Sequence, residues 1–386
     1  MTAGRPRYNG CPPAVQVTAA GAEENESTRV VMQTVSQLIF SAHEDAIVTT
    51  APCRADLAGG TLDIWPLYLF HPGAVSVNLA LSILTACRIT PRVGRSILLK
   101  SHDTAREEAF ASLDALLAAK SYRHPLAAYL VRFFRPKSGF LLETFSESPA
   151  GAGISGSSAL MIATSAALAR FTSRKLKIEQ IRVIAQNVEA QLIRVPTGCQ
   201  DYYPAMYGGV SAVHLDAGGI CREAIPIPLT EMDERFVVFY TGAPRQSGIN
   251  NWEVFKQYMN GNKHVIRNFA EISRIAQAMH RALAGQRWND VERLIREEWK
   301  LRRTNAPGIS TPLIDKLVAV ARRHGARAAK VCGAGGGGCV IALIEKGSRQ
   351  GVENAIRENG GQPLNFKVAR AGLTFHSASK LRRKNV

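Results

Sequence analysis

One stretch constrains this chain more than any other. Residues 149–160 read Pro-Ala-Gly-Ala-Gly-Ile-Ser-Gly-Ser-Ser-Ala-Leu, and an apolar helical pattern then runs to about Phe171. Glycine lets the backbone turn several N–H groups inward around an anion. A helix beginning at Ser157 or Ser158 adds its unpaired first-turn donors and the positive end of its dipole. The stretch therefore reads as a phosphate cradle formed by Gly151, Gly153, Ser155, Gly156, Ser157 and Ser158, whose hydroxyls add donors or a magnesium ligand.

Two better-known loops compete for the same residues. Gly151, Gly153 and Gly156 match G-x-G-x-x-G, but that dinucleotide fingerprint calls for an acidic residue about 20 positions on. Here that region holds Arg174, Lys175 and Lys177. A Walker loop ends in Gly-Lys-Ser/Thr, which this stretch lacks. Taken by itself, a serine-capped turn with no ligand is the remaining alternative.

With 386 residues, 46% hydrophobic and 20% charged, the chain can bury a full core and is expected to form two domains. No apolar run reaches the roughly 18 residues of a membrane span. Residues 1–28 lack the basic-then-apolar order of a signal peptide and read as a loose leader. The seven cysteines, at 11, 53, 87, 199, 221, 332 and 339, form no C-x-x-C pair. Their scatter fits neither a zinc site nor a disulfide framework and points to the reduced cytoplasm. The formal net charge of +17 is spread along helices, apart from a short tail at Lys380, Arg382, Arg383 and Lys384. No basic stripe with interleaved aromatics is present, so the surplus is read as solvated faces and an anionic ligand rather than nucleic-acid binding.

The pattern predicts a helix over 29–43, then a strand over 46–50 that runs into residues 51–66, where Arg54, Asp56 and Asp63 surround Gly59 and Gly60. Arg54 lies in an otherwise apolar strand and needs a buried partner or a ligand. Asp56 reads equally as a turn or cap residue. Strands are expected over 74–86 and 88–99, a helical hairpin over 104–135 broken near His124 and Pro125, and a strand over 139–145. A helix over 178–194 carries Glu189 and leads to Asp201, a strand opens at Gly208, and residues 224–229 begin the return. The second half is expected to hold a strand at 236–240, a loop with Arg245, Asn250 and Asn251, helices over 252–303 and 311–324, a helix at 348–359 and a strand at 364–369. The expected boundaries are a leader over 1–28, domains over 29–230 and 231–375, and a basic tail over 376–386.

A second glycine cluster lies between two apolar β segments, at residues 333–338. Four successive glycines leave no side chains to pack, so they serve close backbone approach or a structural bend.

With these residues in view, the chain resembles the GHMP kinase superfamily. Its three motifs appear in order at residues 51–63, 149–160 and 330–339, and the likeness covers about residues 46–375. Within the superfamily it is most similar to the sugar 1-kinase branch of heptose-7-phosphate kinase, fucokinase and galactokinase, whose first motif is R-x-D-x-x-G-G-x-x-D. Arg54, Asp56, Gly59, Gly60 and Asp63 match it. The resemblance implies an α+β fold of two domains, the first like domain 2 of ribosomal protein S5 and the second ferredoxin-like, with the site in the cleft between them. It implies ATP and Mg²⁺, with Ser158 and Glu189 as metal ligands, Asp201 as the acid beside the acceptor hydroxyl, and Arg54 between that acid and the γ-phosphate. Gly60 and Asp63 would meet the substrate, and Gly335 and Gly336 would close over the phosphates and acceptor. One departure is Ile154-Ser155-Gly156, where many relatives have Gly-Leu-Gly. The implied enzyme is an ATP-dependent phosphotransferase with an alcohol acceptor, a monomer or homodimer without nucleic-acid or membrane partners.

Phosphoryl transfer asks mainly for positioning and charge neutralisation, which these residue types supply. Three outcomes stay open: a sugar or sugar phosphate, a non-sugar acceptor such as mevalonate, or a ligand-binding relative without activity. Mevalonate kinases resemble A-P-G-K with G-E-H-A-V, having lysine in place of Arg54 and no carboxylate in place of Asp63. A carboxylate accepts two charge-assisted bonds from vicinal hydroxyls and would repel that of mevalonate. The expected acceptor is therefore a sugar, at its anomeric hydroxyl.

Overall fold

β-Branched and small apolar residues dominate Ile47–Ala58, which forms the strand β1. Its period of two sends Cys53, Ala55 and Leu57 into the core and Arg54 and Asp56 to the opposite face, where they are equally buried. In this computed structural model the described residues are Val35, 45–244 and 249–376. The expected leader, the helix over 29–43 apart from Val35, Arg245 and the tail beyond His376 lie outside them.

Six strands join β1 in the first sheet before the chain leaves it: β2 Val75–Arg92, β3 Ile97–Ser101, β4 Arg106–Phe110, β5 Gly139–Ser146 and β6 Val210–Asp216, the last forming a hairpin with β7 Gly219–Ala224. The second sheet uses β8 Phe236–Tyr240, β9 Ala326–Val331, β10 Cys339–Ile344 and β11 Gln362–Leu364; β12 Thr374–His376 returns to the first. The helices are α1 Leu113–Ala118, α2 Pro125–Phe134, α3 Gly156–Phe171, α4 Ile178–Ile193, α5 Tyr202–Tyr207 and α6 Leu229–Arg235, followed by α7 Ile249–Met259, α8 Lys263–Ala284, α9 Trp288–Arg302, α10 Pro312–Arg323 and α11 Arg349–Glu358. The eight-stranded sheet runs β12-β1-β2-β5-β3-β4, with β6 pairing β2 and β7 pairing β6. The four-stranded sheet runs β11-β8-β10-β9. β3 and β5 are parallel, and the other pairs are antiparallel. No helix among the described residues is long and apolar enough to cross a membrane.

Several boundaries differ from the sequence pattern. β2 is one strand of 18 residues, because the turn falls at Gly94 with φ +88° and not near Cys87, which pairs on both sides with Thr49 and Thr144. Residues 106–110, expected in a helical hairpin, form the strand β4 on an exposed sheet edge, where charged side chains hide the period. β7 comes earlier than residues 224–229. Of the strand expected over 364–369, only Leu364 falls in β11. The following residues cross to the first sheet, where Val368 bridges Leu81 and Ala369 N–H donates to Ala80. β12 then pairs with β1.

This pairing covers only Val48–Thr50, so further along β1 that edge is open to a loop. Pro52, which has no N–H, sits where the β1–β2 register shifts. α3 packs on β1 and β2 and against α4. It is buried from Ser158 to Ala169, and its small residues allow close approach.

Candidate active site

The loop between β5 and α3 carries the first group of site residues. Gly151 at φ +67°, Gly153 at +74° and Ser155 at +61° coil it tightly, a conformation glycine adopts readily and serine does not. Ser155 is the residue before α3, so the helix starts at Gly156, slightly earlier than the sequence pattern places it. The loop is pinned from beneath by Arg54 N–H donating to Ile154 at 2.9 Å, with Ile154 itself in the core. It is pinned from the second sheet by Cys339 N–H donating to Ala152 at 2.6 Å. A Cβ at Gly338 would lie 2.6 Å from the Ala152 carbonyl oxygen, so the two glycine-rich loops touch backbone to backbone. That close approach is what the second cluster's lack of side chains permits.

Arg54 joins the parts. Its Nε and Nη2 each lie 2.7 Å from Asp201 Oδ1, and its Nη1 donates to the carbonyls of Gly153 at 3.0 Å and Cys332. One guanidinium thus links β1, the phosphate loop, the end of β9 and the start of α5. Burial works against its charge, but the Asp201 and Asp56 carboxylates hold its pKa above the ordinary arginine value. The partner that burial of Arg54 demands is Asp201, whose own side chain is only partly buried.

Glu189 on α4 collects three hydroxyls: Ser157 at 2.8 Å on Oε1, and Ser158 at 2.9 Å and Tyr202 at 2.5 Å on Oε2. Burial raises its pKa, and those three bonds oppose the shift. Ser158 and Glu189 are therefore side by side. Tyr202 escapes the sequence reading, because a tyrosine beside an acid carries no signal.

Asp63 is buried, and its partner lies 137 residues away in sequence: Oδ2 accepts from Gln200 N–H at 2.9 Å. Gly198 gives it room, since a Cβ there would lie 1.9 Å from Oδ2. Burial, reinforced by the charge of Asp201, pushes Asp63 up to about 7.

Asp56 is neither a turn nor a cap residue. It accepts from Lys330 Nζ at 2.9 Å inside a quartet with Glu298 and Arg302. Arg302 bonds Glu298 and the Gly60 carbonyl at 2.8 and 2.7 Å, so the quartet holds the turn between β1 and Asp63. Lys330 within Ala329-Lys330-Val331 is open to the same argument as Arg54; Glu298 and Arg302, four apart on α9, look like an ordinary surface pair in the sequence.

These groups line a cleft of about 480 Å³ that contains Arg54, Gly60, Asp63, Glu189 and Asp201 together with Gly151, Gly153, Ser155, Gly156, Ser157 and Ser158 of the phosphate loop. Gly333 and Ala334 line it too, whereas Gly335 and Gly336 are not among its lining residues. A Cβ at Gly335 would meet the Ile309 carbonyl at 2.3 Å, and Gly336 N–H donates to that carbonyl, so this pair packs on residues 308–309 rather than on the cleft. Beyond the phosphate loop the cleft continues past Ser101, Arg106, His124 and Thr144, a region that no sequence motif marks.

The donor set suits a magnesium-bound nucleotide triphosphate. Ser155 Oγ is buried with no hydrogen-bond partner among the described residues. It sits where the first-turn amides of α3 lack acceptors within the helix. A carboxylate and a hydroxyl at one point, Glu189 and Ser158, are hard oxygen ligands of the kind Mg²⁺ takes.

The chain matches two family profiles, "GHMP kinases N terminal domain" over residues 118–209 and "GHMP kinases C terminal" over residues 275–362. It is 24% identical over 337 residues to D-glycero-alpha-D-manno-heptose 7-phosphate kinase of Campylobacter jejuni, covering 85% of this chain and 98% of that one. It is 29% identical over 241 residues to mevalonate kinase of Thermococcus onnurineus, covering 61% and 69%. Among solved structures, galactokinase of Lactococcus lactis in complex with galactose superposes with a TM-score of 0.72 at 18% identity, covering 87% and 97%.

Proposed function

The chain belongs to the GHMP kinases, with both the N-terminal and C-terminal domains of that family, and from this premise we propose that it transfers the γ-phosphoryl group of ATP to the anomeric hydroxyl of a sugar or sugar phosphate. The observation that carries the proposal is the Arg54–Asp201 pair at the junction of the phosphate loop and the turn that leads to Asp63. Both bonds from Arg54 end on Asp201 Oδ1, which leaves Oδ2 for the acceptor hydroxyl. Asp201 orients that hydroxyl and takes its proton, while Arg54 sets a fixed positive charge beside the path of the transferred group. The phosphate loop and the α3 terminus hold the nucleotide phosphates through backbone N–H groups, with Ser155 and Ser157 hydroxyls as added donors. Ser158 and Glu189 would hold Mg²⁺, which when bound would supply charge neutralisation on the phosphates. Asp63 accepts from sugar hydroxyls, and Gly60 offers backbone beside it. The domains are taken as 29–230 and 231–375, and the reaction is placed in the cytoplasm on the cysteine spacing.

The Thermococcus likeness favours mevalonate as a second acceptor. The buried Asp63 carboxyl argues for the sugar instead, since above about pH 7 it would face the carboxylate of mevalonate with like charge.

Asp201→Asn tests the assignment. The amide keeps the shape and an oxygen for Arg54 but takes no proton. kcat is expected to fall by about 10²–10⁴ with KM for ATP little changed. Retention of more than about a tenth of kcat would remove Asp201 from the role of base.

A further inference from the structure

Away from the cleft, three side chains from three elements converge: His214 on β6, Glu223 on β7 and His280 on α8. His214 Nε2 lies 2.8 Å from Glu223 Oε2, and His280 Nε2 lies 3.1 Å from Oε1. Both imidazoles thus aim the same nitrogen at one carboxylate, each at its own oxygen. The rings meet edge to face with centroids 5.4 Å apart, and one ligand atom from each residue falls within 4.8 Å of the other two. His214 and Glu223 share a face of the β6–β7 hairpin, where the register sets Cys221 directly across from His214. Cys221 is exposed.

We propose that His214, Glu223 and His280 form a site for a divalent transition metal, zinc by preference, that fastens the β6–β7 hairpin to α8. Two imidazole nitrogens and a carboxylate are a donor set for borderline ions such as Zn²⁺, and a poor one for Mg²⁺, which keeps an oxygen shell. Zn–N bonds of about 2.0–2.1 Å set neighbouring ligand atoms of a tetrahedral site roughly 3.3 Å apart. The contacts already present are close to that spacing, so binding requires small side-chain movements and loss of any proton on Nε2. The fourth position faces solvent and takes water. The three ligands are distant in sequence, which is why no spacing motif announces them.

The site also bears on the cleft. Ala276, one turn before His280 on α8, has its Cβ 3.0 Å from where a Cβ of Gly59 would stand. The helix that the metal fixes therefore backs the turn carrying Gly60.

Full-length protein stripped with a chelator and titrated with ZnCl₂ by calorimetry tests the proposal, with zinc per chain and melting temperature as readouts. Wild type is expected to bind one more zinc per chain than His280→Ala, and to melt at higher temperature with Zn²⁺ but not with equal Mg²⁺. Loss of a ligand should exceed the roughly 10–100-fold in affinity that follows loss of an outer partner, so His280→Ala and His214→Ala are each expected to weaken this site by more than about 100-fold. Kinase turnover at saturating Mg²⁺ persists in both. Where a histidine variant does not fold, Glu223→Gln, on an exposed strand, carries the same comparison. Equal zinc stoichiometry and affinity in wild type and the variants would overturn the site.

Discussion

Lys330→Met removes one positive charge from the buried quartet that holds the turn carrying Gly60. Lys330 is fully buried, 2.9 Å from Asp56 and in contact with Glu298, while Arg302 serves the same two acids at 3.5 and 2.8 Å. Two acids face two bases, so the quartet is neutral; methionine keeps the length and leaves one negative charge unpaired. Breaking a buried pair in this way costs about 3–5 kcal/mol, a large share of the roughly 5–15 kcal/mol that holds a folded domain together. The pH dependence has a definite sign. Burial opposes the charge on Glu298, but Lys330 and Arg302 hold its pKa below the ordinary carboxylate range. In wild type it therefore stabilises the fold above that ordinary range, an effect lost as pH falls through the folded value. Without Lys330, burial gains the upper hand and the folded state takes up a proton more readily. The deficit of the variant is then largest near pH 8 and shrinks toward pH 5. Urea melts at both pH values measure it, and Lys330→Met combined with Asp56→Leu should recover at least half the loss, because the charges are removed together. Arg302, drawn toward two acids, also loosens its bond to the Gly60 carbonyl, so KM for the sugar rises more than KM for ATP. A loss under about 1 kcal/mol at pH 8, or one that does not change with pH, would refute the reasoning, since breaking a buried pair costs several times that.

Two further outcomes follow from the site. Ser158→Ala and Glu189→Gln each raise the Mg²⁺ concentration for half-maximal activity at fixed ATP, because each removes a hard oxygen ligand or its charge; unchanged titration curves in both would leave these residues as packing for α3. Asp63→Asn raises KM for the sugar and not for ATP. Since burial lifts Asp63 from 3.8 to about 7, its ionisation opposes folding increasingly between those values and fully above the higher one. A tenfold change in proton affinity is worth about 1.4 kcal/mol, so the variant gains up to about 4 kcal/mol at pH 8 and nothing near pH 3.5. Urea melts across that range check it, and equal stability at pH 8 would contradict the burial argument.

Much of the site is legible in the sequence because its chemistry leaves local marks. The glycine and serine run at residues 149–160 forms the expected loop before a buried helix, and Arg54 in an apolar strand has the acidic partner that burial of a guanidinium requires. What stays hidden depends on distant pairing. Asp56 cannot be told from a turn residue until Lys330, 274 residues on, is seen beside it. β12 pairs with β1 across more than 320 residues, which no local period encodes. β4 escapes because an exposed edge strand rich in charge has lost its apolar alternation. Gly335 and Gly336, which the family likeness places over the phosphates and acceptor, meet the backbone of residues 308 and 309, a contact that composition does not reveal.

The most direct test of the account is the product formed from ATP over a panel of free sugars, sugar phosphates and mevalonate, followed by ³¹P NMR. The account predicts transfer to an aldose or its phosphate, with the new phosphorus signal coupled to the anomeric proton, and no product from mevalonate. Turnover of mevalonate with none on any sugar would contradict it.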